Sequence, residues 1–103
     1  MKLKPNKLDT DSCLYFLREH KQEYADKYGI TRIGVFGSVA RGEQTENSDV
    51  DICVEMKRPD MFFLIAIKDD LQEIFNCKVD VVRIRENMNP FLLDTIVKTA
   101  IYA

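Results

Sequence analysis

Two strand-like segments with a helix-like segment between them constrain this chain more than any other feature. Val50–Met56 alternates, with Val50, Ile52 and Val54 on one side and Asp49, Asp51, Cys53 and Glu55 on the other. Lys78–Arg83 is short and rich in valine. The segment between them, Met61–Asn76, has helical length, and Asp60 stands where it can cap the start. Strand, helix and strand with short joints fold as a right-handed crossover, so the two strands are expected to be parallel neighbours.

The flanks complete the pattern. Thr10–Tyr28 predicts a first helix, capped by Asp9 or Asp11 and ended by Gly29, with Leu14, Leu17, Tyr24 and Tyr28 as its apolar stripe. Arg32–Phe36 reads as a further strand, and the polar connection Gly42–Ser48 suits antiparallel pairing with Val50–Met56. Asn89 and Pro90 open a last helix whose apolar face is expected to hold Leu93, Ile96, Val97, Ala100 and Ile101. The order helix, strand, strand, helix, strand, helix predicts an α+β fold: a small mixed sheet with helices mainly on one face.

Length and charge narrow the function. A chain of 103 residues is expected to form one domain over 1–103, with 1–7 as a loose arm. The net charge of −2 argues against a long nucleic-acid footprint but leaves room for a small anion held at a local positive site. Cys13, Cys53 and Cys77 are scattered and His20 is the only histidine, which argues against a zinc site or a disulfide framework. The three thiols read as small buried hydrophobes in a reducing compartment. Met1–Asp9 has no apolar leader and the run Met61–Ile67 is too short to span a bilayer, so a cytoplasmic protein is expected, without membrane contact.

The chemistry is concentrated in two places. Gly37-Ser38 leaves the first strand as a turn, with Ser38–Arg41 long enough for one helical turn. A glycine lets backbone approach a ligand, N–H groups opening a helical turn can hold phosphate, and Ser38 and Arg41 add a hydroxyl and a positive charge. Ser48 then precedes Asp49-Val50-Asp51. Residues two apart on a strand share a face, with Cα atoms roughly 6–7 Å apart, so Asp49 and Asp51 can converge on one Mg2+. Asp80 interrupts the otherwise apolar Val79–Val82, and parallel pairing would bring it to the same edge. Three acids at one edge suit a two-metal site, in which Asp80 would position or deprotonate an attacking hydroxyl.

Gly37-Ser38-Val39-Ala40-Arg41-Gly42, ten intervening residues between Ser38 and Asp49, then Asp49-Val50-Asp51 and the later Asp80 together resemble the DNA polymerase beta-like nucleotidyltransferase superfamily. The short length makes the chain similar to its minimal nucleotidyltransferases, the MNT proteins. The resemblance implies the nucleotidyltransferase fold and transfer of a nucleoside monophosphate, AMP from ATP in the leading case, to an acceptor hydroxyl with Mg2+ and release of pyrophosphate. It implies that Asp49, Asp51 and Asp80 are catalytic metal ligands and that Gly37 and Ser38 hold the triphosphate; Arg41 and Ser48 are counted with the nucleotide-binding residues. It further implies a HEPN-type toxin as partner, with this chain as antitoxin and the toxin as acceptor of AMP. A binding antitoxin that neutralises its partner by contact alone is the alternative.

Met61-Phe62-Phe63-Leu64-Ile65-Ala66-Ile67 is apolar all round, unlike an ordinary surface helix. It is expected to be buried under the C-terminal helix; the other reading is a surface for a partner or a second copy of this chain. Arg83 and Arg85 follow as a solvated basic rim, or as a grip on acceptor or nucleotide.

Overall fold

The computed structural model describes residues 9–43 and 49–103. Its elements are α1 (Thr10–Tyr28), β1 (Ile30–Phe36), β2 (Val50–Met56), α2 (Met61–Phe75), β3 (Val79–Arg83), α3 (Pro90–Thr99) and β4 (Ile101–Tyr102). The arm 1–7 and most of the 42–48 connection, Ser48 included, lie outside the described residues. No helix among those described is long and apolar enough to cross a membrane.

Local chemistry sets the helix limits. The Asp9 carboxylate accepts from the Ser12 N–H at 2.8 Å, and Gly29 ends α1 in the left-handed region at φ 68°. Asp60 accepts from the N–H groups of Phe62 and Phe63, and Asn89 from those of Phe91 and Leu92 ahead of α2 and α3. Asn76 closes α2 at φ 55°, a conformation asparagine tolerates better than most side chains.

The sheet runs β3-β2-β1-β4. β1 is antiparallel to β2 and to β4, while β2 and β3 are parallel, as the crossover through α2 requires. Strand parity then divides the side chains between two faces. Ile33, Val35, Val50, Ile52, Val54 and Val79 meet Leu14 and Leu17 of α1 and Ile67, Leu71 and Phe75 of α2. Phe36 and Cys53 turn the other way, onto Ile96 of α3 and Met88. Two helices therefore cover one face and α3 the other. Each fully buried aliphatic side chain contributes about 1.5–3 kcal/mol, so the larger cluster carries most of the stability.

Two expectations need correction. The last helix does not continue through Ala100 and Ile101. It stops at Thr99, Ala100 is extended, and Ile101–Tyr102 pair with Gly34 and Val35 of β1. Val97, assigned to an apolar face, is 76 % exposed. The cause is Gly34: a Cβ there would sit 2.5 Å from the Ile101 carbonyl oxygen, so only a glycine admits the chain this close. Pairing the open edge of β1 outweighs one more helical turn. The second correction concerns the opening of α2, where Phe62 is 81 % exposed and Met61 and Ile65 also face solvent. α3 packs against the opposite face of the sheet and cannot cover it.

Candidate active site

The end of β1 and the starts of β2 and β3 form one edge of the sheet. Phe36, the last residue of β1, is the Cα partner of Asp51, and Asp51 is the Cα partner of Asp80 on β3. Gly37 lies one step beyond Phe36, and Asp49 two residues before Asp51. The register thus brings Gly37, Asp51 and Asp80 side by side, with Asp49 at the margin.

Gly37 is held to glycine by two constraints. Its φ is +71°, and a Cβ on it would lie 2.7 Å from Asp51 Oδ2. The turn after it is closed by Arg41 N–H to Gly37 O at 3.1 Å, Gly42 N–H to Val39 O at 3.1 Å and Glu43 N–H to Ser38 O at 2.9 Å. That agrees with the single helical turn expected over Ser38–Arg41. The turn is anchored below by buried Val39 and by the Thr10 hydroxyl, which donates to the Val39 carbonyl. The Gly37 N–H is engaged: it donates to Thr99 Oγ1 at 2.9 Å. What the turn offers an anion is therefore the N–H groups after Gly37 and the hydroxyl of half-buried Ser38.

The electrostatics are those of a crowded acidic edge. Burial, with Asp80 and then Asp49 adding repulsion, raises the proton affinity of Asp51, and Arg41 opposes the rise. Asp49 faces Lys78 Nζ at 3.7 Å, an exposed pair of small worth. Arg41 is ion-paired with Glu43. Among the described residues no three acidic, histidine or cysteine side chains are gathered into a finished metal cage. The edge is open, and its donors are hard carboxylate oxygens under mutual repulsion, which fits Mg2+ taking the rest of its shell from phosphate and water.

Buried Cys13 and Cys53 lie apart from these acids, whereas half-buried Cys77 is close enough to Asp49 to feel its charge. Burial pushes Cys13 up to about 12 and Cys53 up to about 11, and raises Cys77 as well, so all three are protonated near neutral pH. No disulfide joins them. Lys78 and Thr99 are the neighbours that sequence reasoning missed. Lys78 has a signal in hindsight, one residue before the strand that carries Asp80. Thr99 has none, because its place beside Gly37 depends on β4.

A small mixed sheet with a Gly-Ser turn facing acids on two adjacent strands is the arrangement of a nucleotidyltransferase. Residues 17–103 match the nucleotidyltransferase domain family, and the chain belongs to it. It is 40 % identical over 87 residues to a Methanocaldococcus jannaschii protein bearing a provisional protein adenylyltransferase name, MJ0128, with 84 % of this chain and 89 % of that one covered. A solved structure described as a minimal nucleotidyltransferase superposes with a TM-score of 0.71 at 32 % identity, over 91 % of this chain and 95 % of that one. A toxin–antitoxin crystal structure with AMP-PNP shares the fold at a TM-score of 0.68 and 24 % identity, over 92 % of this chain and 72 % of that one.

Proposed function

We propose that this nucleotidyltransferase transfers AMP from ATP to a hydroxyl on a partner protein, with Mg2+, and that the partner is a HEPN-type toxin which it neutralises. The observation that carries the reading is the convergence of Gly37, Asp51 and Asp80 on one edge. The Gly37-Ser38 turn and Arg41 would receive the triphosphate, and Ser48 is proposed among the nucleotide-binding residues on its sequence position alone. Asp49, Asp51 and Asp80 would hold one or two Mg2+ ions, which neutralise phosphate charge and sharpen the acceptor hydroxyl as a nucleophile. Asp80 would orient that hydroxyl or take its proton. The acceptor oxygen forms a bond to the α-phosphorus, the bond from that phosphorus to the bridging oxygen breaks, and pyrophosphate leaves.

The exposed opening of α2 supports a protein as acceptor. Met61 borders a groove of about 460 Å³ between the starts of α2 and α3, lined also by Leu64, Met88, Leu92, Arg83 and Arg85. An apolar surface with a basic rim suits a protein face better than a small molecule. The same surface would serve a second copy of this chain. Similarity to a relative with a protein adenylyltransferase name and to a toxin–antitoxin fold points the same way. The cell compartment implied is the cytoplasm.

The test is labelling of a HEPN-type partner from radiolabelled ATP and Mg2+. Asp49→Asn with Asp51→Asn should abolish it, and undiminished labelling would remove these acids from the reaction. The second reading, neutralisation by binding alone, is favoured by the exposure of Met61, Phe62 and Ile65. Full neutralisation by the double variant would establish it.

A further inference from the structure

We propose that Thr99 is a positioning residue for the nucleotide site, setting the phosphate-facing turn through the Gly37 amide. The inference rests on the proposed nucleotide-binding role of that turn.

The hydroxyl of Thr99 makes two bonds of fixed direction. It donates to the Thr95 carbonyl at 2.6 Å, one helical turn back, and its oxygen accepts the Gly37 N–H at 2.9 Å. Because the hydroxyl proton is committed to Thr95, the lone pair facing Gly37 is an acceptor by necessity. The Gly37 peptide is thereby prevented from turning its N–H toward the acids. Its Cα stays against Asp51, at the distance where a Cβ would reach 2.7 Å from Oδ2.

Thr99 is itself held from the other side. β4 begins two residues later, Ala103 N–H donates to Ile33 O at 2.9 Å, and Gly34 leaves the space that β4 occupies. The chain from Gly34 through β4 to Thr99 and back to Gly37 is a closed loop of contacts around the end of β1. It fixes the turn relative to Asp51, so Thr99 acts through Gly37.

The experiment compares Thr99→Val, which keeps shape but loses the hydroxyl, with Thr99→Ser, which keeps both bonds. Hydrogen exchange at the Gly37 amide and Mg2+-dependent AMP-PNP affinity are read on the same samples. Thr99→Val should speed Gly37 exchange relative to β1 and β2 core amides and weaken AMP-PNP by about fivefold, the worth of one ordinary hydrogen bond. Thr99→Ser should restore both. Unchanged Gly37 exchange overturns the contact, and faster exchange with unchanged AMP-PNP affinity overturns its positioning role. A global loss of protection would make Thr99 merely structural and also overturns the proposal. Failure of the unaltered protein to bind AMP-PNP would instead sink the nucleotide reading itself, and the proposal with it.

Discussion

Replacing Gly37 by alanine separates backbone strain from damage to the site, because Gly42 provides a matched control. The two glycines have nearly the same φ, +71° and +70°. A Cβ on Gly37 would meet Asp51 Oδ2 at 2.7 Å, whereas one on Gly42 has nothing within 4 Å. An alanine forced into the left-handed region costs about 1–2 kcal/mol at either position. For a domain near 100 residues that lowers Tm by roughly 5–15 °C. Only Gly37→Ala must also push the Asp51 carboxylate aside. Losing one charge-assisted contact to a metal-bound nucleotide costs about 1.5–3 kcal/mol, or roughly 10- to 150-fold in affinity. Thermal melts should therefore show similar losses for Gly37→Ala and Gly42→Ala. Calorimetric titration with AMP-PNP and Mg2+ should show a large loss for Gly37→Ala alone. Equal nucleotide affinity in the two variants would refute the claim that Gly37 is required by its approach to Asp51.

Further outcomes follow from other contacts. Asp51 has its proton affinity raised in the fold, so without metal the protein loses stability as pH rises from the ordinary carboxylate value of 3.8 through the raised one. Asp51→Asn should accordingly raise the metal-free Tm at pH 7 and remove the further rise on adding Mg2+; a lowered metal-free Tm would contradict the repulsion. Glu43→Gln should release Arg41 from its ion pair and tighten AMP-PNP by a few-fold at low salt, with the gain fading as salt rises. Gly34→Ala should displace β4 from its 2.5 Å approach and lower Tm and nucleotide affinity together, whereas a lowered Tm with intact affinity would uncouple β4 from the site. Phe62→Ser with Ile65→Ser should abolish a pull-down of the proposed HEPN-type partner while leaving AMP-PNP binding unchanged, because both side chains are exposed and α2 starts beyond the end of β2 opposite Asp49 and Asp51.

The acidic edge was legible because it rests on rules of short range. Alternation placed Asp49 and Asp51 on one side of β2, and a helix joining two strands required β3 to run parallel, which set Asp80 opposite Asp51. The Gly-Ser turn was readable for the same reason, since the residues that build it are contiguous. The far end of the chain was not readable in this way. Ile101 continues the spacing of a helical stripe, yet the open edge of β1 takes it into β4. For the opening of α2 the sequence favours burial over an exposed partner surface, and the structure exposes it, because periodicity says that a face is apolar and not which neighbour is there to cover it.

Sequence by itself determined every element but β4, their order and the nature of the donors, because each depends on residues near one another in the chain, and the crossover rule for a helix between two strands then set the acidic edge. Tertiary structure alone decided that α3 lies across the sheet from α2, leaving Met61, Phe62 and Ile65 exposed. It alone brought Thr99 to the amide of Gly37, 62 positions away in the chain. Such contacts depend on which faces and edges remain open after the local elements have formed, and that competition is settled only when the whole chain packs.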